Sequence, residues 1–94
     1  MSLQLHEIKA GILDVIDDID KIIEREDFSA YHHIRESCES AIVLLSENKI
    51  NDSQKEIAFS IRLLMEAPPK DKVLGYSTLL KMDSIYKNFP TLVD

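Results

Sequence analysis

The sequence predicts an all-α fold, a small antiparallel four-helix bundle. Three observations carry this expectation. Apolar residues recur at helical spacing in four separate stretches. Glycine is confined to Gly11 and Gly75, so the chain has few places to turn sharply. No run alternates apolar and polar residues in the way a half-buried strand does. The 94 residues suit a single domain, with residues 1–4 and 90–94 expected to fray.

The first helix is expected from Leu5 to Arg25. Ile8, Ile12, Val15, Ile16, Ile19, Ile22 and Ile23 fill one arc about 120° wide at 100° per residue. Asp14, Asp17, Lys21 and Glu24 fall on the opposite side. Isoleucine loses side-chain freedom in a helix, so packing of this stripe must supply most of the stability.

A second helix, capped by Asp27 or Ser29, is expected to reach Glu47. Tyr31, Ile34, Cys38, Ala41, Ile42 and Leu45 form its inner stripe; His32, Glu36, Glu39 and Val43 point away. Residues 48–52 read as a turn. Ser53-Gln54-Lys55-Glu56 then matches a capping box, which predicts a third helix from Ser53 to about Glu66. Ile57, Ile61, Leu64 and Met65 make its main stripe, and Phe59 and Leu63 a second apolar patch.

Pro68-Pro69 ends that segment, because proline lacks an amide and the residue before it avoids helix. A fourth helix is expected from about Asp71 to Lys87. Its apolar residues split into two lines, Val73-Tyr76-Leu80 and Leu79-Met82-Tyr86-Phe89. Short connections make neighbours antiparallel. The expected core is Ile12, Ile16, Ile19, Ile23, Ile34, Cys38, Leu45, Ile57, Ile61, Leu64 and Leu80.

Composition narrows the functional classes. Eleven basic against 17 acidic residues give a net charge of −6, which repels phosphate backbones and anionic lipid. Neither nucleic acid nor membrane is expected as a partner. No apolar run approaches spanning length, and no basic region with a long apolar run opens the chain, so neither a membrane span nor a signal peptide is expected. The lone Cys38 has no disulfide partner, which suits a reducing, cytoplasmic setting.

Motifs for catalysis are scarce. No phosphate-binding glycine loop or nucleophile elbow occurs. Cys38 sits on an apolar stripe with no evident base, and behaves there as a small hydrophobe. His32 and Glu36 supply half a metal site at most, and His6-Glu7 lacks the spacing of a bundle di-metal motif. No catalytic residue, cofactor or metal is therefore expected, and the chain is read as a non-enzyme.

The segment His32-His33-Ile34-Arg35-Glu36-Ser37 resembles the motif of histidine phosphotransfer domains, which is similar to His-x-Leu-Lys-Gly-Ser. Those domains are four-helix bundles in which an exposed histidine carries a phosphoryl group. The resemblance implies His32 as phosphoacceptor, with Arg35 in place of the lysine that steadies the phosphate. Glu36 stands where the family has glycine, and its charge opposes a phosphoryl group. The likeness covers six residues.

The physics favours binding over catalysis. Asp14, Asp17, Asp18 and Asp20 crowd two turns of the first helix, followed by Glu24, Glu26 and Asp27. Like charges three and four apart destabilise a helix unless something relieves them. Asp14, Asp17, Asp18 and Glu24 are thus candidate docking residues for a basic protein. Phe59, Leu63, Tyr76 and Tyr86 are the apolar candidates, since the chain holds more apolar residues than one bundle seam needs. The expected function is a small protein-interaction module. By analogy of size, charge and fold class it is a bacterial toxin-neutralising (immunity or antitoxin-like) protein or a regulatory adaptor. Alternatives are phosphotransfer through His32 and a structural homodimeric subunit.

Overall fold

The computed structural model describes residues 5–90. Most of the expected fraying, at 1–4 and 91–94, lies outside the described residues. Four helices form: α1 (Leu5–Arg25), α2 (Ser29–Ser46), α3 (Ile50–Glu66) and α4 (Lys72–Lys87), with no strand among the described residues. Sequential helices pack on each other and α4 closes back on α1, so α1 meets α2 and α4, and α3 meets α2 and α4. α1 and α3 face each other across the core, as do α2 and α4.

The contacts run in opposite chain directions. Between α1 and α4, Arg25 meets Asp71, Asp18 meets Thr78 and Asp14 meets Lys81. Between α2 and α3, Tyr31 meets Ala67, Cys38 meets Ser60 and Ala41 meets Ser53.

The core is built on the isoleucine stripe. Ile8, Ile12, Val15, Ile16, Ile19 and Ile22 of α1 pack against Tyr31, Ile34, Cys38, Ala41 and Leu45 of α2. Ile50, Ile57 and Leu64 of α3 complete one side, and Met82 and Ile85 of α4 with Phe89 the other. Ile23 and Ile61, both expected in the core, are only half-buried at its rim.

Two helix starts differ from expectation. α2 is capped by Phe28 in extended backbone, and no side chain accepts there. The Asp27 carboxylate is engaged 2.5 Å from His32 Nε2, and the Phe28 ring packs on Tyr31 at 5.8 Å between centroids. α3 starts at Ile50, and the expected capping box does not form. Ser53 already lies in the first turn, where its amide donates to the Lys49 carbonyl at 3.0 Å. Its hydroxyl is buried and donates to the Ala41 carbonyl of α2 at 2.7 Å. The serine therefore ties two helices together and does not cap one.

The α2–α3 turn follows from one residue. Asn48 takes φ 61°, the left-handed region that asparagine tolerates better than most residues. Its amide donates to Leu45 and that of Lys49 to Leu44, which closes a Schellman motif over the last carbonyls of α2. α4 opens as expected at Asp71, whose Oδ1 accepts from the Leu74 amide at 3.0 Å.

At α4, Met82 and Phe89 of the second expected line turn inward, and Leu80 of the first does not. Gly75, Thr78, Met82 and Ile85 point inward, with Phe89 continuing the line beyond the helix. Leu80, expected in the core, is 52% exposed; Val73 and Tyr76 on the same line are 82% and 65% exposed. The polar Thr78 is the reason this inner face does not read as a stripe. Its hydroxyl is satisfied locally, 2.8 Å from the Leu74 carbonyl.

Candidate interaction surface

The acidic residues of α1 are largely engaged within the molecule. Asp18, expected on the docking surface, is only 5% exposed. It lies 2.9 Å from Lys81 Nζ and 3.3 Å from the Thr78 hydroxyl. Asp14 is exposed but also meets Lys81, at 3.0 Å. This shared ion pair holds the Lys81 ammonium above its usual pKa, chiefly through the hydrogen bond to Asp18 and then that to Asp14. Asp20 accepts from Arg35 Nε at 2.6 Å, and the Glu26 carboxylate accepts from the Lys70 amide at 2.6 Å. Asp17 and Glu24 remain exposed with no ion pair among the described residues. The crowded carboxylates are relieved mainly by cations on α2 and α4.

In the histidine segment His32, His33 and Glu36 are exposed, whereas Ile34 and Ser37 are buried. Arg35 bridges Asp20 of α1 and Glu39 one turn along α2, which keeps its guanidinium charged and engaged with these two carboxylates. Glu36 approaches His33 at 3.9 Å and does not pair with His32. No group of three or more metal-ligating side chains occurs among the described residues. The Cys38 thiol is fully buried, and burial pushes its pKa up to about 11.

The apolar candidates separate. Leu63 is half-buried against the core, and Phe59 is exposed beside His33, Glu36 and Glu56 of a shallow polar depression. Tyr86 lies on a different seam, between α3 and α4, beside Ala58, Ile61 and Asp83. Tyr76 alone of the four stands in a large apolar surface.

That surface has two joined parts. One is a cleft of about 580 Å³ between the end of α3 and the start of α4, with Leu64, Met65 and Pro68 on one wall and Tyr76 and Leu79 on the other. Its floor is Gly75, where a Cβ would come within 2.9 Å of the Pro69 ring. The second part is the outer face of α4 itself, carrying Val73, Tyr76 and Leu80. Tyr76 and Lys72 belong to both. The charged side chains lining the two parts are Lys70, Lys72 and Lys81, with no carboxylate among them.

No family model matches this chain, and neither a curated protein nor a solved structure matches it significantly.

Sequence reading placed Tyr76 among the binding candidates but missed Met65, Pro68, Lys70, Lys72, Val73 and Leu80. The available signal was the split of α4 into two apolar lines. A helix that is apolar on opposite sides needs cover on both. No helix of the described residues is long and apolar enough to cross a membrane.

Proposed function

We propose that this chain is a protein-interaction module that binds through the outer face of α4 and the cleft beside it. The observation that carries this reading is the two-sided character of α4. Thr78, Met82 and Ile85 already line the core, and Val73, Tyr76 and Leu80 are left largely exposed on the other side. Contiguous exposed apolar surface of this kind marks contact sites. Tyr76 is suited to be the anchor, since tyrosine brings large contact area at low entropic cost.

An adaptor or a toxin-neutralising protein would use such a surface. The α1 acids have a smaller part in this reading than in the sequence reading. Asp14 and Asp18 hold α4 in place, and Asp17 and Glu24 are left to steer a basic partner or a basic region of one.

The test is cross-linking and affinity capture with the intact chain against its Tyr76→Glu and Leu80→Asp variants. Partners held by the wild type and lost by both variants support the reading. The same partners retained at the same level overturn it. Sedimentation of the wild type, run alongside, identifies a second copy as the occupant if a dimer forms and the variants dissociate it.

A further inference from the structure

Resting on the reading that α4 binds protein, we propose that the cleft between Met65 and Tyr76 takes an amphipathic segment of a partner that carries acidic residues beside its apolar ones. The argument is local charge. The chain as a whole is acidic, at −6. The charged side chains that line the cleft have the opposite sign. Lys81 is committed to Asp14 and Asp18, Lys87 to Asp83 at 2.9 Å, and Asp71 to Arg25. Lys70 and Lys72 are exposed, line the apolar cleft, and have no ion pair among the described residues.

An apolar segment lying in the cleft would bring its flanks against these two ammonium groups. Flanking carboxylates would gain a pair there as water is excluded, whereas flanking cations would meet like charge. The net charge of the whole chain does not reverse this preference. At physiological ionic strength the screening length is about 8 Å, so the two lining lysines outweigh the carboxylates farther off on α1 and α2, while of the nearer acids Asp71 is paired with Arg25 and the Glu26 carboxylate is engaged by the Lys70 amide. The cleft is concave and falls within the roughly 300–1,000 Å³ over which proteins seat inserted groups. A concave site suits inserted side chains better than a flat lipid surface does. An amphipathic helix entering by its apolar face is the recurrent way such grooves are filled.

The experiment uses two fluorescein-labelled synthetic peptides about four helical turns long. Both carry leucine and phenylalanine at helical spacing; one has glutamate on the flanks and the other lysine. Anisotropy is read with the intact chain at low and high salt. The glutamate peptide is expected to bind roughly tenfold tighter, with the gap narrowing in high salt. The Lys70→Glu, Lys72→Glu double variant is expected to reverse the order, and Tyr76→Ser to weaken both peptides. These lysines make no contact in the core, so the reversal does not depend on a change of fold.

If the lysine peptide binds as well or better and still needs Tyr76, the charge inference is overturned while the protein-binding reading stands. If neither peptide binds, the charge inference is likewise overturned, and the capture experiment decides the reading separately. Binding to vesicles of anionic phosphatidylglycerol in place of either peptide assigns the lysines to a membrane surface and overturns the proposal. So does a dimer that Tyr76→Ser dissociates.

Discussion

Lys81 places its ammonium 2.9 Å from the carboxylate of Asp18, which is buried in the seam between α4 and α1. That pair does more than neutralise a charge. It lies on the edge of α4 next to α1, with Thr78 beside it. Met82 and Ile85 are turned inward, while Val73, Tyr76 and Leu80 are turned outward. The polar contact and the buried Met82 and Ile85 thus agree on the same rotation of α4.

Removing the lysine should be costly. Lys81→Met leaves Asp18 with the Thr78 hydroxyl as its remaining neighbour, and an uncompensated buried carboxylate destabilises strongly. Because Lys81 itself is partly exposed, a loss of about 2–3 kcal/mol is expected in urea unfolding, below the range for a fully buried pair. The double variant Asp18→Leu, Lys81→Met should recover much of it, since no charge is then buried unpaired. Equal destabilisation in the double variant would contradict this account.

Alkaline pH should act on the same pair. The folded-state pKa of Lys81 is raised above its ordinary 10.5, chiefly by the hydrogen bond to Asp18. Its stabilising contribution is therefore complete below about 10.5 and is lost as pH rises through the folded value. Tyr31, raised by burial, and Cys38, raised to about 11 by burial, lose theirs in the same direction. Chemical-denaturation midpoints should fall above pH 10, and fall less steeply in Lys81→Met than in the wild type.

The two lines of α4 make a sharper comparison. Met82→Ala should cost about 2–5 kcal/mol, because it empties a fully buried site. Leu80→Ala, half-exposed on the outer face, should stay within about 0.5 kcal/mol of the wild type. Thermal unfolding of the two variants decides it. A large loss at Leu80 would mean that the sequence reading, which put Leu80 in the core, was correct for the molecule in solution.

This contrast also shows how far the sequence can be read. α1 was legible because its inner arc is isoleucine and valine almost throughout, so apolar periodicity and burial coincide. In α4 they part. The inner face includes Gly75 and Thr78, which carry no apolar signal, while the outer face carries Val73, Tyr76 and Leu80, which do. Periodicity alone does not choose between the two lines. Ser53 misled for a related reason. A serine three residues before a glutamate fits a cap, but the buried Ala41 carbonyl, contributed by another helix, was the stronger claimant. The acidic surface was overestimated because the cations that quench it, Arg35 and Lys81, come from α2 and α4, which no local spacing rule brings together.

Cys38 should be chemically silent in the folded protein. Its thiol is fully buried beside the Ser60 hydroxyl, 3.9 Å away, and its pKa of about 11 leaves little thiolate at neutral pH. Alkylation by iodoacetamide at pH 8 should be slow and should accelerate with urea in parallel with unfolding. Rapid labelling of the native chain would show that α2 and α3 open locally at this point.

The two glycines should respond oppositely to alanine, and the difference bears on the cleft. Both lie inside helices without positive φ, so each alanine gains about 1 kcal/mol of helix propensity. At Gly11 the new Cβ would sit 3.2 Å from Cγ1 and Cδ1 of Ile85, a side chain able to turn aside. Gly11→Ala should therefore be neutral or slightly stabilising. At Gly75 the Cβ would lie 2.9 Å from Cδ of Pro69, whose ring is stiff and whose following residue, Lys70, is held by its amide to Glu26. Relief requires the Pro68-Pro69 segment to move, and that segment forms a wall of the cleft. Gly75→Ala should thus lower the unfolding midpoint and weaken peptide binding together. Pro69→Ala in the same chain should restore most of the stability by removing the ring that the new methyl meets. A Gly75→Ala variant as stable as the wild type would show that the 68–70 turn is free to shift, and that the cleft has no fixed floor.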